Sequence, residues 1–148
     1  MLVPFVDEVG LLVRPGMVGA TGNVYCGLHE AEEMALVLHA LRPGDLFVGL
    51  GANVDSYTPL AAAAGARCLY IEPIPRTFPW LSKNIALNGL AGRLTPLNVA
   101  LGREQGVARF TSGLDTVNHV VAPGEAAADT VEVPVRTLDS IVAASLLG

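Results

Sequence analysis

D-L-F-V-G-L-G-A-N-V-D-S-Y-T-P-L-A-A-A-A-G-A-R-C-L-Y-I-E, residues 45–72, is the stretch whose reading decides the fold. Leu46, Phe47 and Val48 form an apolar run of strand-forming residues, as in a strand covered on both faces. Gly49, Gly51 and Asn53 follow at every second position. Glycine lets a backbone turn sharply and come close to a ligand, and Asn tolerates left-handed angles better than most residues. The alanines at 61 to 64 predict a small-residue helix lying close on a sheet, with Gly65 as its C-terminal stop. Residues 67–71 predict the next strand, and Glu72 closes it, 21 positions beyond Gly51. That is the spacing at which a nucleotide-binding βαβ unit sets an acidic side chain on ribose hydroxyls. A βαβ unit without a ligand would share the turn, but it offers little structural reason for a carboxylate at a strand end.

Composition bounds the rest. A chain of 148 residues suits one domain with a real core. Hydrophobic residues make up 51% and mean hydropathy is +0.48, with Ala, Leu and Val supplying most of both. No apolar run approaches the roughly 18 to 20 residues of a membrane span. Asp7 and Glu8 interrupt the apolar N-terminus, which has no basic leader, so a secretory signal is not expected. The net charge of -5 and the lack of a basic cluster argue against nucleic acid as a partner. Cys26 and Cys68 form no metal-binding pattern with histidines, which predicts reduced thiols, a cytoplasmic setting and no metal.

Outward from the central stretch, residues 1–25 predict a short strand or hairpin broken by Pro4, Gly10, Pro15-Gly16 and the glycines at 19 and 22. Residues 29–41 predict a helix with Ala31, Met34, Ala35, Leu38 and Leu41 on one apolar face. Glu30, Glu32 and Glu33 sit in its first turn, and Arg42-Pro43-Gly44 ends it. Beyond Glu72, residues 77–87 predict a helix whose inward face is Phe78, Leu81 and Ile85, stopped by Asn88-Gly89. A third strand at 94–101 contains Pro96, which belongs at a sheet edge; a doubly wound sheet beginning 3-2-1 puts that strand there. Residues 107–111 and 131–136 predict further strands, Pro134 suggesting another exposed edge. Thr137 caps a last helix at 138–147, with Asp139 in its first turn. The organisation is then 1–44 leading into the core and 45–148 forming a partial Rossmann-like α/β domain.

Five blocks together carry a family resemblance: L-R-P-G-D-L-F-V-x-x-G-A-N-V, I-E-P-I-P-R-T-F, N-I-A-L-N-G-L, N-V-A-L-G and V-P-V-R-T-L-D. In this order they resemble the FkbM family of S-adenosylmethionine-dependent methyltransferases, over most of the chain, about residues 23–141. The resemblance implies a Rossmann-like methyltransferase fold with a mostly parallel sheet, cut short after its third strand and joined by antiparallel additions. It implies a cofactor site in which Gly51, Ala52 and Asn53 wrap the methionine part, with Gly49 and Asp55 counted among the cofactor-binding positions. Glu72 would take both ribose hydroxyls and Asn98 would lie beside the adenine. The implied activity is O-methyl transfer to a hydroxyl or carboxyl group of a small metabolite or sugar.

The family carries an acidic residue where Gly49 stands and a glycine where Asp55 stands. The exchange predicts weakened binding of S-adenosylmethionine, restored by reversing both residues. The family also continues past residue 148 with further strands, so the residue activating its acceptor has no counterpart here. An inactive fragment or interaction module of the same fold is therefore a second reading, and an NAD-binding dehydrogenase domain a third. His119, with Asp115 and Asn118 near it, is the one histidine in a polar loop suited to an active site; a structural hydrogen bond accounts for it more simply. The first strand lacks its usual fourth-strand neighbour, and that open edge predicts homo-oligomer formation unless residues 131–136 cover it.

Overall fold

A computed structural model of the chain describes residues 1–6, 9–27, 29–51, 53 and 56–146. Its strands are β1 (Leu2–Val6), β2 (Val9–Leu12), β3 (Leu46–Leu50), β4 (Arg67–Ile71), β5 (Leu94–Leu97), β6 (Ala100–Leu101), β7 (Gly106–Thr111) and β8 (Thr130–Arg136). Its helices are α1 (Val18–Cys26), α2 (Ala31–Ala40), α3 (Tyr57–Ala63), α4 (Phe78–Leu87) and α5 (Leu138–Leu146), with a 3-10 turn at Asp115–Val117.

The predicted βαβ unit is present. Strands β3, β4 and β5 form a parallel sheet in that order, which places Pro96 on an edge strand as its missing N–H requires. Side chains alternate across this sheet with the period of two that strands impose. Phe47, Cys68 and Tyr70 face α3 and α4, packing with Ala61, Ala62, Leu81 and Ile85. Leu46, Val48, Leu69, Ile71 and Leu97 face the other way, onto Ile141 and Val142 of α5. The small residues of α3 let it lie close on the strands. Its end is a Schellman turn: Gly65, at φ +82, donates its N–H to the Ala62 carbonyl, and Ala66 donates to Ala61. Pro59 falls in the first helical turn, where a missing N–H costs nothing.

A second sheet has the order β6-β8-β7, with β8 parallel to β6 and antiparallel to β7. The predicted third strand is thus divided: the chain leaves the first sheet after Leu97 and enters the second at Ala100. Pro134 is not on an edge strand, as its sequence suggested, because β8 is the central strand of this sheet. It is tolerated since β6 reaches only Val135 and Arg136, so β8 has a single neighbour, Val107 of β7, opposite the proline. Thr137 caps α5 as expected, its Oγ1 accepting from the Ser140 N–H at 3.2 Å.

Two readings of the N-terminal part need correction. The face of α2 is Met34, Val37 and Leu41, not the broader stripe predicted. Ala31 and Ala35 are exposed and Leu38 is 36% exposed, because among the described residues α2 packs chiefly upon the slim helix α3. The stretch after Pro15-Gly16 is helical (α1), where a short strand or hairpin was expected. Met17 anchors its start in a cluster with Leu11 and Val13, and Gly22 gives room to the His29 ring, which a Cβ there would meet at 2.5 Å.

The hairpin formed by β1 and β2 is held by a device absent from the prediction. Asn84 on α4 and Asn88 at its C-cap, one turn apart, present their amides to alternate residues of β2. The Gly10 N–H donates to Asn88 Oδ1 at 2.9 Å, and Asn88 Nδ2 donates back to the Gly10 carbonyl at 2.8 Å. Asn84 exchanges the same pair of bonds with Leu12, at 2.5 and 3.4 Å. A helix repeat of four residues and a strand repeat of two bring the amides into register, so a helix face completes the edge of a strand.

Candidate functional site

The carboxyl ends of β3, β4 and β5 meet at one edge of the parallel sheet, the location at which open α/β sheets bind ligands. Here the chain turns through Gly51 at φ +64 and Asn53 at φ +46, the left-handed conformations that the glycine and asparagine predicted. The Gly51 N–H still donates to the Ile71 carbonyl at 2.8 Å, extending the β3–β4 ladder into the turn.

Glu72 sits at the end of the middle strand and is only 4% exposed. Its two oxygens are taken up separately: Oε2 accepts the Asn53 N–H and Oε1 the Ile74 N–H, each at 2.8 Å. Burial pushes its pKa above the ordinary value, and the two backbone N–H groups pull the other way with less effect. An ionised carboxylate offers about four lone-pair directions, so two stay available to hydroxyl donors. Asn98 closes the adjacent corner, its amide donating to the carbonyls of Glu72 at 2.7 Å and Pro73 at 3.1 Å. The structure therefore gathers Gly51, Asn53, Glu72 and Asn98 in one place. Ala52 and Asp55 lie outside the described residues.

Gly49 is explained inside the sheet. It pairs with Tyr70 on β4, and a Cβ at Gly49 would meet Tyr70 Cε1 at 2.7 Å. The tyrosine, itself fully buried, occupies the volume a larger residue at 49 would need. An acidic residue at 49, half of the double change with a glycine at 55, would have to displace that ring.

A cleft of about 210 Å³ is bordered by Asn53. Arg14 and Met17 line it from the hairpin exit, Arg76, Thr77 and Trp80 from the start of α4, and Ser112, Asp115 and Asn118 from the turn after β7. Of the polar loop singled out in the sequence, Asp115 and Asn118 reach this cleft. His119 does not: it lies in a separate depression with Glu125, to which its Nε2 is bonded at 2.8 Å. That hydrogen bond raises the histidine's pKa and lowers the glutamate's, and Nδ1 meets the Val117 carbonyl at 3.1 Å. His119 holds its own loop together.

Arg14, Arg76 and Trp80 escaped the reading of the sequence. Arg76 stands four positions after Glu72 in I-E-P-I-P-R-T-F, a proximity that could have flagged it; nothing local marks Arg14, which joins the cleft only through the hairpin's docking on α4.

No family model matches the chain. It is similar to the ribosomal protein L11 methyltransferase of Thermus thermophilus, 32% identical over 88 residues, covering 58% of this chain and 33% of that protein. Among solved structures it is similar to a candidate transferase of Pyrococcus horikoshii, at 22% identity and a TM-score of 0.45, over 65% of this chain and 35% of that one. It is also similar to TYW2 of P. horikoshii, solved in complex with MeSAdo, at 25% identity and a TM-score of 0.43, over 62% of this chain and 36% of that one. The chain spans about a third of the length of each of these three proteins. Among the described residues, no helix is long and apolar enough to cross a membrane.

Proposed function

We propose that this chain binds S-adenosylmethionine at the strand ends and takes part in methyl transfer. The observation that carries the reading is Glu72: a buried carboxylate at the end of the middle strand, held against the left-handed turn at Asn53. The similarity to a methyltransferase supports the same class. The residues present fit the cofactor. Glu72 keeps lone pairs for a ribose diol, and among the described residues a Cβ at Gly51 would meet nothing within 4 Å, so the turn leaves room for a ligand.

When bound, S-adenosylmethionine supplies an electrophilic methyl group on a sulfonium. What the chain's own residues do is position and exclude. Glu72 fixes the ribose, the Gly51–Asn53 turn sets the depth of approach, and Asn98 pins the strand ends against each other. Such transfer gains its rate mainly from alignment and the exclusion of water, with a base needed only for a weakly acidic acceptor. The finer reading is O-methyl transfer to a small metabolite or sugar, in the manner of the FkbM family; the five sequence blocks support it.

Calorimetric titration with S-adenosylmethionine and, separately, with NAD tests the class. Saturable heat with the first alone is expected. Heat with NAD alone would move the site to a dehydrogenase. A second reading, a non-catalytic module, is favoured by the engagement of both Glu72 oxygens by main-chain N–H groups, a purely architectural use of the carboxylate. Heat from neither ligand would establish it.

A further inference from the structure

We infer that the cleft beside Asn53 is an anion subsite, built to take a carboxylate on Arg14 and Arg76; this rests on the reading of the strand ends as a cofactor site. Asn53 is the link: its backbone N–H is bonded to Glu72 and the same residue lines the cleft. A ligand on the glutamate would thus lie beside a residue that also borders the arginine-lined cleft.

Arg14 and Arg76 come from distant parts of the chain and have no local reason to meet. Arg14 is delivered by the hairpin, whose position is set by the amide pairs of Asn84 and Asn88 with β2. It is also held over the Trp80 ring, its Cζ 5.5 Å from the centroid. Arg76 arrives on the short connection from Glu72 into α4. Thr77, Ser112 and Asn118 add polar side chains to the lining, and Asp115 is its acidic member. Two planar five-donor groups around a cleft of about 210 Å³ suit a carboxylate, which an arginine engages by paired N–H bonds. In a chain of net charge -5, a cleft with two cations and one carboxylate is a local reversal of sign.

A carboxylate could reach this cleft from two sources: the amino-acid end of S-adenosylmethionine itself, or a carboxylate-bearing methyl acceptor. Three probes separate them: S-adenosylmethionine, 5′-methylthioadenosine, which lacks the amino-acid end, and succinate. Each is titrated into the wild-type chain, Arg76→Gln and Arg14→Gln, with melting temperature as a check on folding; both arginines are exposed.

If the subsite holds the cofactor's own carboxylate, either variant weakens S-adenosylmethionine by about tenfold or more and leaves 5′-methylthioadenosine unchanged. If it holds an acceptor, both nucleosides bind the variants normally, and succinate binds the wild type loaded with 5′-methylthioadenosine but not the loaded variants. Equal weakening of both nucleosides, or no effect of either variant on any probe, overturns the subsite. Should neither nucleoside bind the wild type, the cofactor reading fails by itself. Succinate titrated into the free protein then decides the subsite: binding that both variants abolish sustains it, and no binding overturns it.

Discussion

The Asn53 N–H donates to Glu72 Oε2 at 2.8 Å, joining a residue in left-handed conformation to a buried carboxylate nineteen positions further on. The bond ties a residue that departs from regular strand geometry to the end of the middle strand. Its donor is presented by the positive φ of Asn53, and its acceptor is one that burial makes costly to leave unpaired. Turn and carboxylate form one unit, and a change in either is felt in both.

Replacing Glu72 by Gln should weaken S-adenosylmethionine binding by about 1.5 to 3 kcal/mol, the scale of a hydrogen bond to a charged group. The amide nitrogen of Gln must also face either the Asn53 or the Ile74 N–H, donor against donor. Calorimetry of the purified variant measures the loss. An unchanged affinity would remove Glu72 from the site.

The same carboxylate sets a pH dependence. Burial raises its folded pKa above 4.5, so the native state holds the proton more tightly than the unfolded chain does. The sign follows: Glu72 costs least stability below 4.5, and the cost grows as pH rises through the folded pKa and then levels off. Denaturant melts of wild type and Glu72→Gln across this range should show the wild type losing ground as pH rises. Cofactor affinity should move oppositely, falling as acidification protonates the carboxylate, in the wild type alone. A stability difference that does not vary with pH would rule out titration of a buried Glu72.

The left-handed angle at Asn53 gives a test of the turn by itself. Asn53→Gly should be close to neutral, while Asn53→Ala should cost about 1 kcal/mol, because a Cβ is strained at positive φ and the asparagine's tolerance is lost. Chemical denaturation of the pair measures this. Equal stability of the two variants would mean the turn relaxes to another conformation.

The amide pairs between α4 and β2 predict a local, not a global, failure. Asn88→Ala leaves the Gly10 N–H and carbonyl without their partners, costing about 1 to 3 kcal/mol in the hairpin. Hydrogen exchange should lose protection at Gly10 and Leu12 while the amides of Arg67–Ile71 keep theirs. Loss of protection spread evenly over both regions would show that the hairpin is not a separable unit.

Much of the fold was legible because local and tertiary signals agreed. The run Leu46, Phe47, Val48, the Gly65 stop and the Thr137 cap each read the same alone and in place. What misled was tertiary context. Glycines near Pro15-Gly16 read as breakers, yet Gly22 serves packing against His29 inside a helix. Pro134 read as an edge, yet the neighbouring strand ends before it. Within the site, Glu72 and Asn53 were visible by spacing, whereas Arg14 could not be, since it comes to the cleft through side-chain amides on a helix some seventy positions away. The parallel sheet ends at β3 among the described residues, with β8 paired elsewhere, so the strand edge expected to recruit another copy is not covered by β8.

Gly49 offers the sharpest conflict between family pattern and physics. Pattern alone says that Gly49→Asp, together with Asp55→Gly, should improve cofactor binding by supplying a missing carboxylate. The structure sets Tyr70 opposite, with its Cε1 at 2.7 Å from the place of a Cβ and its Cδ1 and Cζ at 3.2 Å. The tyrosine is fully buried in the cluster that joins the sheet to α3 and α4, so the ring cannot swing aside without displacing Ala61, Leu81 or their neighbours. Forcing extra volume into such a core costs about 1 to 3 kcal/mol. Gly49→Ala, which adds the Cβ and no charge, should already be destabilised on that scale. Gly49→Asp should be worse, because its carboxylate would begin its path in an apolar layer. If the ring is the cause, the cost should shrink when Tyr70 is shortened. In a double-mutant cycle Gly49→Ala with Tyr70→Leu should therefore be less destabilised than the sum of the single changes, by about 0.5 kcal/mol or more. Strict additivity would remove the steric explanation, and a stable Gly49→Asp that binds S-adenosylmethionine more tightly would restore the family pattern.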